Sequence, residues 1–180
     1  MIIKFASFAI DVDVERTRVF YERHDIPTMS GKCECINCQN FDGAILTMPD
    51  TVLSFLRSFG IDPKKPTESF NAPGTITSNG MIDYCGWYHI CGSIVEGPET
   101  IESVIYTTSP TGKSVKYLWE HEFAPDSNFA FTILPTNETD LLHAEFPSPV
   151  VQLWFNAHLP YVLPIPSNLE IFDINNKSGV

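Results

Sequence analysis

Three of the five cysteines fall within one short segment, in which Cys33, Cys35 and Cys38 are separated by one and two residues. The C-x₂-C spacing lets two thiolates of one tight turn reach a single metal ion, and N–H groups of the turn stabilise the charge on sulfur. A fourth ligand has to come from elsewhere, and the candidates are the other cysteines and two histidines: Cys85, Cys91, His24 and His89. Zinc suits mixed sulfur and nitrogen ligands. One interpretation of the segment is therefore a zinc site formed by Cys33, Cys35, Cys38 and His89, and another is that the cysteines bind no metal.

Other interpretations of this cysteine segment stay open. A zinc ribbon has two C-x₂-C pairs, and an iron–sulfur cluster uses spacings other than C-x-C-x₂-C. A redox C-x-x-C is typical of a helix start that follows a strand, and the sequence does not indicate that context here. The three residues can also be free thiols in a loop.

A second group of reactive residue types follows the predicted strand from Asp83 to Cys91. Because side chains alternate between the two faces of a strand, Asp83, Cys85, Trp87, His89 and Cys91 are all expected on one face. Alternate residues on a strand lie about 6.5–7 Å apart, so Cys85 and His89 are about 13 Å apart. This distance does not support a nucleophile–base pair within the strand. The alternative is that the cysteines fill a core and that His89 hydrogen-bonds to a buried group.

The composition limits the partners that the chain can have. It has 180 residues, 43% of them hydrophobic, and its 11 basic and 22 acidic residues give a formal charge of −11. This acidic field repels nucleic acid and anionic membranes and attracts cations or basic proteins. The first ten residues do not fit a secretory signal, so we expect a cytoplasmic protein with reduced thiols.

Local patterns predict the elements that would position these residues. We expect a strand over residues 2–12, a helix over 14–24 capped by Asp13, a loop over 28–43 and a helix over 49–59 that ends at Gly60. Asn79-Gly80 predicts a hairpin turn before a long strand over 81–95. Further strands are predicted over 102–107, 114–122, 128–134 and 150–158. The predicted fold is a single α+β domain, residues 1–180, with a largely antiparallel β-sheet and two N-terminal helices packed against it.

Four short segments resemble a family of uncharacterised bacterial proteins with no assigned activity. They are Cys33-x-Cys35-x₂-Cys38-x-Asn40-Phe41, the segment 60–66 (Gly-Ile-Asp-Pro-Lys-Lys-Pro), Gly86-Trp87-Tyr88-His89, and the segment 146–153 (Phe-Pro-x-Pro-Val-x-Gln-Leu). The resemblance implies a bacterial or phage-associated origin and transfers no activity.

Three functional hypotheses follow. The first is a non-enzymatic cytoplasmic binding or accessory protein, such as an acidic partner of a basic protein, with no nucleic acid or membrane partner. The second is a small zinc-binding protein that uses Cys33, Cys35 and Cys38 structurally or catalytically. The third is an enzyme in which His89 and Asp83, or a carboxylate on a neighbouring strand, form an acid–base pair. The oligomeric state stays open.

Overall fold

The computed structural model describes residues 1–71, 76–77, 79–97, 122–133, 139–164 and 171–172. The helices precede most of the strands: α1 (Val14–Tyr21), α2 (Met29–Lys32), α3 (Ile36–Ala44), a 3₁₀ turn (Ile45–Thr47) and α4 (Asp50–Ser58). No helix within these ranges is long and apolar enough to cross a membrane.

Nine strands are described. They are β1 (Ile2–Phe5), β2 (Phe8–Val12), β3 (Glu68–Asn71), β4 (Ile76–Thr77), β5 (Met81–Glu96), β6 (Phe123–Asp126), β7 (Phe129–Ile133), β8 (Val150–Pro160) and β9 (Ile171–Phe172). Seven of them form one antiparallel sheet in the order β1-β2-β5-β8-β7-β6, with β3 also paired to β5. β4 and β9 form a separate parallel pair. The prediction of a mostly antiparallel sheet accompanied by helices is therefore confirmed.

Strand β5 is the centre of the sheet because it pairs with β2, β3 and β8 along different parts of its length. Gly86 permits β3 to approach closely: a Cβ atom at this position would lie 2.1 Å from the Glu68 carbonyl oxygen. The middle of β5 is buried on both faces, with Trp87, Tyr88 and His89 all nearly inaccessible to solvent.

Aromatic side chains join the helices to the sheet. The Phe41 ring of α3 lies 5.9 Å from the Phe155 ring of β8. The Phe55 ring of α4 lies 4.6 Å from the Phe131 ring of β7. The Tyr21 hydroxyl of α1 donates to the His89 carbonyl of β5 at 3.0 Å. The described core thus lies where α1, α3 and α4 meet the sheet.

The two predicted helices are present with small changes at their ends. The Asp13 carboxylate accepts the Arg16 N–H and begins α1, which ends at Tyr21 rather than at residue 24. Pro49 precedes α4, and Gly60 has φ +82, as a left-handed helix end requires. Gly60 also lies against α1, since a Cβ atom there would be 2.4 Å from the Val14 carbonyl oxygen.

Two of the local predictions were wrong. Residues 2–12 form the hairpin β1–β2 rather than one strand, because Ala6 adopts φ +47 and reverses the chain between Phe5 and Phe8. The predicted loop over residues 28–43 contains α2 and most of α3, so the described helices are more numerous than the two predicted. The strands predicted over 81–95 and 150–158 are confirmed, and the one over 128–134 corresponds to β7. The strand predicted over 102–107 and nearly all of that over 114–122 lie outside the described residues.

Candidate metal centre

The three clustered cysteines lie at the junction of α2 and α3. Cys33 follows the last residue of α2, Cys35 is the residue that caps the start of α3, and Cys38 lies in the first turn of that helix. Their Sγ atoms all lie within 4.8 Å of one another. The structure therefore brings together three of the four predicted metal ligands.

Backbone hydrogen bonds give this junction its shape. The Cys33 N–H donates to the Met29 carbonyl and closes α2, and the Gln39 N–H donates to the Cys35 carbonyl and opens α3. Between them the Cys35 N–H donates to the Cys33 Sγ at 3.4 Å. Cys33 and Cys35 are exposed, whereas Cys38 is buried against the core.

A buried carboxylate holds the beginning of α2 against α3. Asp42 accepts the N–H groups of Met29 and Ser30, both at 3.1 Å, and the Ser30 hydroxyl at 2.5 Å. These contacts satisfy N–H groups that a helix start leaves without a partner. They also fix the orientation of α2 and therefore the position of Cys33, which follows its last residue.

Helix α3 is in turn attached to the sheet through Asn40. Its amide nitrogen donates to the Tyr84 hydroxyl at 3.2 Å and to the Pro160 carbonyl at 3.1 Å, and its carbonyl oxygen accepts the Val162 N–H at 2.8 Å. The Tyr84 hydroxyl donates to the Asn37 carbonyl at 2.9 Å. The cysteine cluster is thus supported by strands that are distant in sequence.

The cysteine pKa values differ within the cluster. Burial raises the pKa of Cys35, but hydrogen bonds from the Cys33 thiol, the Cys38 N–H and thiol, and the Asn37 N–H outweigh this effect, so the pKa is lowered. Burial, together with the hydrogen bonds to Cys35 and Cys33, raises the pKa of Cys38. Without a metal ion, the cluster thus favours negative charge on the sulfur at the helix start.

The donor set and its spacing suit one ion. Three sulfurs around a tetrahedral zinc at about 2.3 Å lie about 3.8 Å from one another, a separation that falls within the observed limit of 4.8 Å. Among the described residues, the group of mutually close ligand atoms consists of Cys33, Cys35 and Cys38, and His89 is not part of it.

His89 lies inside the sheet with protein partners at both ring nitrogens. Its Nδ1 is 3.0 Å from the Thr67 hydroxyl, and its Nε2 is 3.3 Å from the Gln152 Oε1. That Gln152 oxygen also accepts the Asp140 N–H at 3.0 Å, which assigns it as an acceptor. Nε2 therefore carries the hydrogen, and the Thr67 hydroxyl donates to Nδ1. Burial lowers the pKa of His89 to about 4, so the ring is neutral at pH 7.

The remaining reactive groups of β5 are also separated from the cysteine cluster. Asp83 hydrogen-bonds to His158, its partner across the β5–β8 pair, rather than to His89. Burial raises the pKa of Cys85 to about 11 and also raises that of Cys91, which favours their thiol forms. The hypothesised acid–base pair of His89 and Asp83 is not formed.

Comparisons with known proteins do not extend these observations, because no family model, no curated protein and no solved structure matches the chain. The resemblance to a bacterial family therefore stays a prediction.

The sequence patterns did not predict the helix start at Cys35, the attachment of α3 to the sheet by Asn40, or the attachment of α2 to α3 by Asp42. A helical signal was available, since Cys38, Phe41 and Ile45 are spaced three and four residues apart and are all buried. The cysteine spacing and the Asp42-Gly43 pair hid that signal, because both are also typical of loops.

Proposed function

We propose that the chain is a non-enzymatic binding protein in which Cys33, Cys35 and Cys38 hold one zinc ion. The observation that carries the proposal is the convergence of the three sulfurs within 4.8 Å at the start of α3. A net charge of −11 favours cation binding at such a site.

Zinc suits this donor set better than an iron–sulfur cluster does. Zinc accepts three thiolates and leaves one position for another donor, whereas common iron–sulfur clusters use four cysteines. Since Cys33 and Cys35 are exposed, the fourth position faces solvent and takes water or a donor from another molecule.

The open position also supports the accessory role. A histidine or cysteine of a basic protein partner would complete the coordination, while the acidic surface attracts that partner. A pull-down with the zinc-loaded protein as bait tests this role. The role predicts a partner that binds the parent protein and does not bind the Cys38→Ser variant. If both baits recover the same proteins, the result counts against the role.

Metal content provides the direct test of the zinc site. We expect protein purified without chelator, then loaded with Zn²⁺ and desalted, to retain about one equivalent. Cys33→Ser, Cys35→Ser and Cys38→Ser should each lose the ion. Cys85→Ser is the matched control, because it removes a partly exposed cysteine that lies outside the cluster. Retention of less than about a tenth of an equivalent by the parent protein, or equal losses in all four variants, would contradict the proposal.

A second candidate function is thiol–disulfide exchange by Cys35 and Cys38. The specific observation is that this C-x-x-C does begin a helix, with Cys35 as the capping residue, although α2 rather than a strand precedes it. In the reaction the Cys35 thiolate attacks a substrate disulfide and releases one substrate thiolate, and the Cys38 thiolate then attacks the Cys35 sulfur of the mixed disulfide and releases the other. The substrate leaves as two thiols, and the protein retains the two oxidised sulfurs.

Oxidised glutathione distinguishes the two functions. If the protein exchanges disulfides, oxidised glutathione should form a reversible Cys35–Cys38 disulfide, which peptide mass mapping identifies. The same protein should then retain no zinc when Zn²⁺ is added. Stable zinc retention together with resistance to oxidised glutathione would refute the redox function and support the metal site.

A further inference from the structure

A cavity of about 260 Å³ lies beside the end of α1, and none of the three clustered cysteines lines it. Aromatic rings form much of its wall: Phe20 and Phe146 have centroids 4.5 Å apart, and Phe146 also contacts the His89 ring at 5.6 Å. Its volume corresponds to about nine water molecules. The space suits a small organic molecule of similar size.

Two lysines line this apolar cavity and supply positive charge. Lys65 is largely enclosed, with 14% of its side chain exposed. Its ammonium group donates to the carbonyl oxygens of Tyr21 at 2.6 Å and Arg23 at 3.1 Å. The Lys32 ammonium group donates to the carbonyl oxygens of Pro66 at 2.5 Å and Thr67 at 2.8 Å.

The ammonium groups of Lys32 and Lys65 each have one N–H that makes no hydrogen bond to the described residues. An ammonium group has three N–H donors, and each of these lysines uses two of them on neutral carbonyls. The Asp62 carboxylate lies 4.0 Å from the Lys65 Nζ, and Glu68 and Asp42 are the acidic groups that act on Lys32, but among the described residues none of these carboxylates hydrogen-bonds to either lysine. Each ammonium group therefore keeps one N–H donor that a further acceptor can take.

The other polar groups of the cavity do not cancel this charge. His89 is neutral, and both of its ring nitrogens are already bonded, as described above. Thr67 uses its hydroxyl hydrogen on His89 and its carbonyl on Lys32. Arg23, near the cavity, is paired with Asp25 and Glu145. A ligand entering the cavity thus meets aromatic rings and two ammonium groups.

We propose that this cavity binds a small carboxylate with an aromatic or similarly flat apolar body. The carboxylate lies between Lys32 and Lys65 and accepts the remaining N–H of each ammonium group. The apolar body packs against Phe20 and Phe146, where ring contacts add to the burial of apolar surface. This proposal does not rest on the proposed zinc function.

Benzoate is the probe, because its ring and carboxylate have about nine non-hydrogen atoms and match the cavity volume. Isothermal titration of the full chain should give a dissociation constant of about 1 mM or tighter. Benzyl alcohol has the same ring without the charge, and it should bind at least tenfold more weakly. In amide NMR spectra, the benzoate shifts should centre on Thr67, His89 and Phe146.

Two lysine variants test the ammonium groups. Lys65→Met and Lys32→Met keep most of the side-chain volume and should each weaken benzoate binding at least tenfold, since each removes a charge-assisted hydrogen bond. Lys4→Met is the matched control, because it makes the same change in net charge at an exposed position of β1.

The outcomes separate this proposal from nonspecific attraction. No binding at about 10 mM benzoate, or equal binding of benzoate and benzyl alcohol, would overturn it. An equal effect of Lys4→Met and the two cavity variants would also overturn it. If Lys65→Met fails to fold, the comparison of the two probes on the parent protein and the NMR shift map still decide the question. Zinc content, measured on the same proteins before benzoate is added, reports on the metal site.

Discussion

The Asp42 carboxylate connects the start of α2 to α3, and its replacement by asparagine should destabilise both. Asp42→Asn keeps the shape of the side chain but removes its charge and turns one acceptor oxygen into an NH₂ donor. That donor would face either the Met29 N–H or the Ser30 N–H and hydroxyl, which now bond to separate carboxylate oxygens. At least one hydrogen bond is therefore lost, and the others lose their charge assistance.

The magnitude follows from the burial of this group. A hydrogen bond to a charged group contributes about 1.5–3 kcal/mol, and Asp42 is only 9% exposed, so little water can replace the lost partner. We expect the free energy of unfolding to fall by about 2–4 kcal/mol. Because α2 carries Cys33 at its end, zinc retention should fall as well.

Urea denaturation of the parent and variant proteins measures this loss. Asp50→Asn is the matched control, since it makes the same chemical change at an exposed first-turn position of α4 and should cost less than about 1 kcal/mol. If Asp42→Asn costs no more than Asp50→Asn, the carboxylate does not hold α2, and the reasoning about how the cysteines are positioned fails.

Three further predictions concern the stability of the fold. Gly60→Ala should lower the free energy of unfolding, measured by urea denaturation, by about 2 kcal/mol or more. The reason is that φ is +82 and that the new Cβ would lie 2.4 Å from the Val14 carbonyl oxygen. A loss below about 0.5 kcal/mol would contradict this close approach. Tyr88→Phe removes the 2.8 Å hydrogen bond to the buried Pro63 carbonyl and should cost about 1–2 kcal/mol, measured in the same way. The pKa of His89 is about 4 in the folded protein and 6.5 as the unperturbed value, so the unfolded chain binds more protons between these pH values. The neutral, buried His89 therefore contributes about 3 kcal/mol to the free energy of unfolding above pH 6.5, and this contribution is lost as the pH falls towards 4. In the His89→Gln variant, the free energy of unfolding should depend less steeply on pH over this range.

Much of the fold was predictable where the signal is local. Asp13 caps α1 through its own carboxylate, and Gly60 ends α4 because a left-handed conformation costs glycine little. Strand β5 was recognisable from residue type and turn signals. The β1–β2 hairpin was not, because its turn uses Ala6 at positive φ instead of the glycine or asparagine that usually marks such a turn.

The candidate site was predictable only in part, because its geometry depends on contacts between distant residues. The cysteine spacing identified the three sulfurs as candidate metal ligands. It did not predict that a helix begins at Cys35, because cysteine is an unusual residue at the start of a helix. The period of β5 placed His89 on a face, yet its partners Thr67 and Gln152 lie 22 and 63 residues away. No pattern within the strand could show that both ring nitrogens are already bonded.

Helix α2 links the two proposed sites, because Lys32 and Cys33 are consecutive residues at its end. A helix of four residues has little stability of its own, so its position depends on the groups that hold it. Asp42 holds the start, whereas the end is held by the contacts of Lys32 and by whatever binds Cys33. A zinc ion on Cys33 and a carboxylate on Lys32 would both order the same segment. Both ligands would therefore act on the position of the same short helix.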